Sequence, residues 1–383
     1  MSTNEKWSSR VALSVTHVAG MIDLMALPVW VGTLISAYKF DPQQAGSLVT
    51  LFLAGAVAAS LSLAPRFNRL NGRLVATAGF ACAAISLAIA SLSTGYAIMA
   101  TCHLLAGFCA GSALSMTHGT IGRSVNPHRL FAIVGTALGM FAIVFLGAAP
   151  KFIAAHGGAS MFEIFTTLML VAAVVALAAF PKPSNDGAKR TTGVPEKLGL
   201  PVWAGILGVS MMAVNQSMVF GFFQQIGTDR GFGLDAITSV FIVLGFINLI
   251  PAPLAAILEN HVRAEKVVLI GPVVQATLAL IIIFSSTFAP YAAAGAVYVA
   301  VMIFSHTYAF GLLSKLDTSG RAVAATPAML MTGAAIGPIL AGTLIKYFGY
   351  HAIGYAICFF ALGAIALFSQ ARRNEVALQP LLK

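Results

Sequence analysis

Residues 11 to 37 read VALSVTHVAGMIDLMALPVWVGTLISA, an apolar stretch in which His17 and Asp23 are the ionisable side chains. A helix needs about 20 apolar residues to cross ~30 Å of hydrocarbon. The stretch is therefore predicted to span a membrane with a carboxylate near the bilayer centre. A charge there costs about 2.5–3.5 kcal/mol even on a lenient scale. Asp23 is consequently a candidate functional residue, and a hydrogen-bonded Asp that packs two helices together is the alternative.

The rest of the chain has the same apolar character. Of its 383 residues, 58% are hydrophobic and 9% are charged, and the mean hydropathy is +0.89. Soluble domains contain about 25% charged residues. Long unbroken apolar runs favour helices over a transmembrane β-barrel, so we predict an all-α membrane protein with twelve transmembrane helices. The predicted spans are 11–37, 43–64, 74–93, 95–121, 130–154, 161–180, 201–226, 235–258, 266–286, 290–313, 322–346 and 350–370.

The basic residues orient these predicted spans. If both termini share one side, eighteen of the 22 Lys and Arg residues lie on that side. The positive-inside rule therefore predicts cytoplasmic N- and C-termini. The same bias accounts for the net charge of +10 without a nucleic-acid partner. We expect an integral multi-pass protein of a bacterial inner membrane.

The two halves of the sequence resemble each other at an offset of 192 residues, so that Phe40 aligns with Phe232. A polar stretch rich in Pro, Gly and Ser separates them, which is typical of a linker. Two parallel six-helix repeats describe a transporter architecture whose substrate binds near the membrane midplane between the halves. The predicted organisation is an N-terminal six-helix bundle at 1–180, a cytoplasmic linker at 181–200 and a C-terminal six-helix bundle at 201–383.

The loop between predicted helices 2 and 3 reads APRFNRLNGRL, residues 64–74. It resembles the signature loop of the major facilitator superfamily (MFS) of secondary transporters. Asn68 and Arg69 stand where that family has Asp-Arg, and Gly72 and Arg73 stand where it has Gly-Arg. The resemblance implies two pseudo-symmetric six-helix bundles, the MFS fold, and a conformational latch in this loop.

Two further helices are similar to motifs of the same family. In helix 4, HLLAGFCAG (residues 103–111) has His103 at the usual Arg position and Gly107 at the Gly position, with Gly111 following. Helices 5 and 11 resemble Gly/Pro-rich motifs, and helix 5 points to the drug/metabolite–proton antiporter branch. These gating and packing positions are Gly139, Gly147 and Pro150 in helix 5, and Gly333, Gly337 and Pro338 in helix 11.

Asp23 is the one acidic residue of twelve that the predicted topology places deep in the membrane. Counting residues from the predicted outer ends places Asp23 about 15–18 Å deep and His103 about 12 Å deep. In the family, helices 1 and 4 both line the central cavity, so we predict an Asp23–His103 proton-coupling pair. Unlike Arg, His gains a charge near physiological pH. The alternative for His103 is a hydrogen bond to a backbone carbonyl within a packed bundle.

Four other polar side chains in predicted helices are candidate substrate contacts. Asn215 is the repeat counterpart of Asp23, and Gln216 follows it. His306 and His17 complete the set, although His17 is expected on a different helical face from Asp23. His118 ends a one-face stripe that begins at His103, and we expect it near the cytoplasmic interface.

The predicted function is secondary active transport of a small organic solute by alternating access, as proton-coupled efflux. The sequence lacks a phosphate-binding loop and hydrolase motifs, so neither enzymatic activity nor a cofactor is predicted. The expected partners are the solute, protons and the lipid bilayer, and we expect a monomer. A metal ion or metal-chelate transporter of the same fold remains the alternative, because imidazole and carboxylate groups bind divalent metals. A membrane-embedded enzyme or sensor is a third alternative.

Overall fold

A computed structural model describes residues 6–124, 126–181, 198–259, 261–317, 322 and 326–378. Within these residues all regular structure is helical and no strand occurs. Twelve helical segments are long and apolar enough to span a membrane, which confirms the predicted fold class. They are Trp7–Ser36, Pro42–Leu63, Gly72–Ser91, Tyr96–Gly122, Arg129–His156, Ala159–Ala179, Leu200–Asp229, Leu234–Leu258, Ala264–Phe284, Phe288–Leu316, Ala328–Phe348 and Tyr350–Arg372.

The first compact unit comprises Met1–Phe40 and Ser47–Thr192. In it, α4 packs on α5 and α7, while α1 packs on α5, α6 and α7. A short 3-10 helix, Ala64–Arg69, follows α3. Its α-helices are α1 (Trp7–Gly20), α2 (Ile22–Ser36), α3 (Pro42–Leu63), α4 (Gly72–Ser91), α5 (Tyr96–Gly122), α6 (Pro127–His156) and α7 (Ala159–Ala179).

The second compact unit comprises Asp41–Gly46 and Gly193–Lys383. Its longest helix, α8, packs on α13 and α14, and α11 packs on α12 and α14. The predicted linker at 181–200 falls mostly on 182–197, which lie outside the described residues. The helices are α8 (Leu200–Asp229), α9 (Leu234–Ile247), α10 (Pro251–Leu258), α11 (Ala264–Phe284), α12 (Phe288–Leu316), α13 (Thr326–Phe348) and α14 (Tyr350–Leu378).

The first membrane span is interrupted for one residue at Met21, between α1 and α2. Met21 has φ −108° and ψ 12°, while its N–H still donates to the His17 carbonyl at 3.0 Å. Asp23 therefore lies in the first turn of α2. The first N–H groups of a helix have no partner within it and the helix dipole is positive there, so this position stabilises a carboxylate.

Glycines bring α3 and α5 into close backbone contact. A Cβ on Gly107 would overlap the carbonyl oxygen of Phe52, and one on Gly111 would overlap the Cα of Ala56. Both pairs are four residues apart, so the contact repeats once per helical turn. Small residues permit this close packing of membrane helices. The glycine stripe of predicted helix 4, which is α5 in the structure, is therefore a packing surface in this unit.

The Gly/Pro-rich motifs of predicted helices 5 and 11 lie on α6 and α13, and both helices continue through them. Pro150 lies buried inside α6, which continues to His156, and Gly139 and Gly147 are partly buried on the same helix. In the second unit, Gly333 and Gly337 of α13 pack against the backbone of α8, and a Cβ on either would overlap it. Pro338 follows within the same continuous helix.

Candidate functional site

The Asp23 carboxylate is completely buried, with 0% of the residue exposed. Its Oδ1 accepts a hydrogen bond from the backbone N–H of Leu24 at 2.8 Å. Its Oδ2 has no hydrogen-bond partner in the part of the chain that the structure describes. Buried carboxylate oxygens are normally hydrogen-bonded, so the free Oδ2 requires an explanation beyond packing.

His103 is also completely buried, and both of its ring nitrogens have partners. Its Nδ1 lies 2.6 Å from the carbonyl oxygen of Met99, so Nδ1 carries the proton and donates. The indole N–H of Trp30 donates to Nε2 at 3.3 Å. These two bonds fix the neutral tautomer of the imidazole. The ring lies between Trp30 and Phe162, with centroid distances of 5.4 and 5.5 Å.

The structure does not bring the predicted Asp23–His103 pair together. No hydrogen bond or ion pair joins the two side chains in the described residues, because His103 faces Trp30 and its own helix. His103 lies seven residues after the start of α5, or ~10 Å along the axis, whereas Asp23 lies thirteen residues before the end of α2, or ~20 Å. Depth counting from approximate span ends underestimated this offset. The backbone-bonded histidine that was the alternative is the arrangement observed.

Replacing Trp30 with phenylalanine is expected to destabilise the first unit by about 1–3 kcal/mol, because the buried Nε2 of His103 loses its donor among the described residues. The aromatic packing against Phe52 and Phe165 would be largely retained. Thermal unfolding of the purified protein measures the change. Trp203→Phe is the matched control, since Trp203 is 49% exposed. Equal melting temperatures for the two variants would show that the indole–imidazole bond contributes nothing.

Two histidines that are far apart in sequence meet inside the first unit. Nδ1 of His17 lies 3.0 Å from Nε2 of His118, and the ring centroids are 5.1 Å apart. His17 is buried and His118 is partly buried. His118 lies four residues before the end of α5, and its ring packs against His17 of α1, so its place near the membrane interface stays a prediction. The substrate-binding role predicted for His17 stays a prediction, and its described hydrogen-bonding partner is a second imidazole.

In the second unit, buried amides connect α8 to its neighbours. The Asn215 Nδ2 donates to the carbonyl of Ile357 on α14 at 3.2 Å. The Gln275 Nε2 donates to Oε1 of Gln216 at 3.1 Å and to the carbonyl of Met212 at 3.2 Å. Three buried amide atoms have no described partner, namely Asn215 Oδ1, Gln216 Nε2 and Gln275 Oε1. Gln275 was not a sequence candidate, because a single Gln in an apolar helix gives no periodic signal.

His306, the remaining candidate, lies on α12. Its ring is 5.0 Å from that of Phe310 on the same helix. Among the described residues no hydrogen bond joins it to Asn215 or Gln216. Of the predicted substrate contacts in the second unit, the two amides are therefore hydrogen-bonded to neighbouring helices, and the imidazole lies apart from them.

The signature loop fastens α4 to the end of α7. Arg73 donates from Nε and Nη2 to the Phe180 carbonyl at 3.2 and 3.0 Å, and Gly72 lies against the ring of Phe180. Arg69 is exposed at the end of the 3-10 helix. The Asn68 side chain lies outside the described residues. Of the four predicted latch residues, Gly72 and Arg73 make the observed contact with Phe180.

The described residues contain no group of three or more His, Cys, Asp and Glu side chains that could hold a metal ion. The geometry thus offers a buried carboxylate, two neutral histidine arrangements and a group of amides.

Comparison with known proteins identifies the family. The sequence matches the profile of the Major Facilitator Superfamily over residues 12–314. No curated protein sequence matches the chain significantly. The chain is structurally similar to a bacterial homolog of the human lysosomal transporter Spinster in an inward-facing, unoccupied conformation. That match has 13% identity and a TM-score of 0.72, and covers 95% of this chain and 96% of the other.

Two other solved structures are similar at the level of the fold. The D-xylose-proton symporter is 15% identical with a TM-score of 0.70, over 95% of this chain and 97% of the other. A mutant of the nucleoside transporter NupG is 15% identical with a TM-score of 0.70, over 95% of this chain and 99% of the other. Because the family profile covers most of its length, the chain belongs to the major facilitator superfamily and is a secondary transporter rather than an enzyme.

Proposed function

We propose that this transporter exports a small organic solute in exchange for protons, and that Asp23 carries the coupling proton. The observation that supports this assignment is the free Oδ2 of a fully buried carboxylate. An ionised carboxylate in the bilayer interior costs about 2.5–3.5 kcal/mol even on a lenient scale, and protonation removes that charge. Oδ2 is the oxygen on which a proton can reside without breaking the Leu24 bond.

The interruption at Met21 places Asp23 where both of its protonation states can be accommodated. When Asp23 is ionised, the N–H of Leu24 and the positive end of the α2 dipole both stabilise its charge. When Asp23 is protonated, Oδ2 supplies a donor to a substrate or to water. Interrupted membrane helices serve as ion and substrate sites in several transporter folds. The same turn can thus hold the carboxyl group in either protonation state.

His103 has a positioning role in this proposal. Its bonds to Trp30 and to Met99 connect α2 to α5 through a neutral imidazole. A direct Asp23–His103 hydrogen bond would require the imidazole to give up at least one of these two partners. We therefore assign the transported proton to Asp23 and assign to His103 the control of where α2 lies relative to α5.

We assign solute recognition in the second unit to the amide group around Gln216 and Gln275. It presents two unpartnered oxygens and one unpartnered amide nitrogen, on Asn215, Gln275 and Gln216. Such a set recognises a solute that carries both hydrogen-bond donors and acceptors. Within the part of the chain that the structure describes, no acidic or basic side chain joins these bonds, which favours a neutral or cationic solute over a polyanion. The metal or metal-chelate alternative has no specific observation in its favour.

Export and cytoplasmic termini complete the proposal. Export rests on the Gly/Pro-rich sequence of α6, and the orientation rests on the excess of Lys and Arg on one predicted side. We propose a monomer in a bacterial inner membrane. The direction of transport and the side of the termini can be tested on membrane vesicles of known orientation.

The experiment has two stages. A thermal-stability screen of the purified protein against metabolites and drugs identifies a solute, because a bound ligand raises the apparent stability. Uptake of that solute into everted vesicles is then measured with an imposed proton gradient and after addition of a protonophore. The proposal expects concentrative uptake that the protonophore abolishes. Concentrative uptake that is insensitive to the protonophore would refute proton coupling.

Replacing Gln275 with methionine is expected to weaken binding of the identified solute by about 1–3 kcal/mol, or roughly 5- to 150-fold in affinity. The thermal shift that this solute produces should fall accordingly. The change keeps the side-chain volume and removes the amide. Thr277→Val on the same helix is the control, since Thr277 is exposed and its hydroxyl donates to the carbonyl of Val273 on its own helix. An unchanged affinity in the Gln275 variant would place the solute elsewhere.

A further inference from the structure

The contact between His17 and His118 is built from two different helices. His17 lies in the last turn of α1, and His118 lies on α5, 101 residues further along the chain. The facing nitrogens are 3.0 Å apart, and the rings are tilted by 41°. Phe131 of α6 covers His118 edge-on at a centroid distance of 5.7 Å. An apolar helix bundle therefore encloses two imidazoles at hydrogen-bonding distance.

The chemistry of imidazole determines what such a pair can hold. At 3.0 Å one facing nitrogen must donate an N–H and the other must accept it, so the neutral pair shares one proton across the contact. One excess proton converts the donor ring to imidazolium and turns the contact into a charge-assisted bond, which is roughly twice as strong as a neutral one. A second excess proton would leave an N–H on both facing nitrogens, so that two donors would point at each other. The pair therefore has a place for one excess proton and resists a second.

The helices that pack against the pair supply no acid in contact with it. Among the described residues, no salt bridge or hydrogen bond connects an acidic or basic side chain to either imidazole. The surrounding helices also carry charged side chains. Those nearest in sequence to the pair or near the helix ends include Arg10 before His17, Asp23 after the interruption, Arg123 at the end of α5, Arg129 on α6 and Glu163 on α7. The charge on a protonated pair is thus stabilised chiefly by the second imidazole.

We propose that His17 and His118 form a second proton-binding site, which holds one excess proton between α1 and α5. The site lies on the α1 side of the Met21 interruption, and Asp23 lies on the α2 side. Its role in transport rests on the proposed proton coupling. Its capacity for a proton is an equilibrium property of the protein and is measured without any solute.

The test is a proton-uptake titration of the purified protein in lipid nanodiscs between pH 8 and pH 5. The proteins compared are the unmodified chain, His17→Phe, His118→Phe and the double variant, because phenylalanine fills the space but accepts no proton. The proposal expects each single variant to lose one proton, and the double variant to lose the same one. Losses that add to two protons, a loss only in the double variant, or no loss at all would each overturn it.

A control and a second observable keep the result interpretable. His156→Gln is the control, since His156 is exposed and bonds to Phe152 of its own helix, so this change should leave the proton loss caused by either pair variant unaltered. In the 15N-histidine-labelled protein, nuclear magnetic resonance should detect a coupling across the N–H···N bond at pH 8 and at pH 6. Absence of that coupling at both pH values, in a protein with an intact fold by thermal unfolding, would also refute the pair. If protonophores do not affect transport but the shared proton is observed, the proposed function fails and this site stands.

Discussion

Replacing Asp23 with asparagine is expected to abolish proton-driven solute accumulation. Asparagine matches the shape of the carboxylate and can keep the Leu24 contact through its Oδ1. It removes the atom that takes up and releases a proton. If one proton drives the cycle, accumulation against a gradient should fall to the equilibrium value, a loss of tenfold or more. The measurement is concentrative uptake of the identified solute into everted vesicles under an imposed proton gradient.

An assay of solute exchange without net proton movement distinguishes a loss of proton coupling from a failure of the variant to fold. Counterflow of labelled solute at equal proton concentrations should persist in the Asp23 variant, because the variant still binds and moves the solute. Glu163→Gln is the matched control, since Glu163 is an exposed acid in the same unit. If Asp23→Asn retained concentrative uptake and Glu163→Gln did not, the proton would have been assigned to the wrong residue.

Replacing Gly107 with alanine is expected to be the most destabilising single-methyl change in the first unit. The new Cβ would overlap the Phe52 carbonyl oxygen and approach its Cα to 2.7 Å. Both are backbone atoms, so α3 and α5 must separate. Overpacking of this kind costs about 1–3 kcal/mol, and more where the backbone cannot shift. A lower unfolding temperature of the purified protein and a smaller folded yield from membranes measure the effect.

Gly135→Ala is the control for this change. A Cβ on Gly135 of α6 meets nothing within 4 Å. Alanine is favoured over glycine within a helix by about 1 kcal/mol, so this variant should be as stable as the unmodified protein or more stable. A Gly107 variant that unfolds at the same temperature as the Gly135 variant would contradict the close contact between α3 and α5.

The twelve spans could be predicted because hydropathy is a local property of the sequence. Each apolar run is long enough to cross the bilayer by itself, and the observed helix ends fall within a few residues of the predicted ones. The burial of Asp23 followed from the same reasoning. The packing role of Gly107 and Gly111 was also accessible, since small residues spaced four apart lie on one helical face.

The side-chain contacts could not be predicted in the same way. The interruption at Met21 affects one residue and leaves the hydropathy of the span unchanged. The His17–His118 contact joins residues 101 positions apart, and a single sequence carries no signal for such a pairing. The Asp23–His103 prediction depended on span ends, where an error of a few residues changes the depth by about 5 Å. Helix rotation and tilt, which decide these contacts, are set by packing between helices.

The bond between Trp30 and His103 gives the protein an intrinsic optical sensor. Trp30 is one of three tryptophans, and it is completely buried, whereas Trp7 and Trp203 are 79% and 49% exposed. Imidazolium quenches indole emission far more strongly than neutral imidazole does. In a chain that carries Trp7→Phe and Trp203→Phe, the remaining fluorescence would come from Trp30 alone. Its intensity and wavelength would then report, in real time and without a label, when His103 changes charge or leaves its partner.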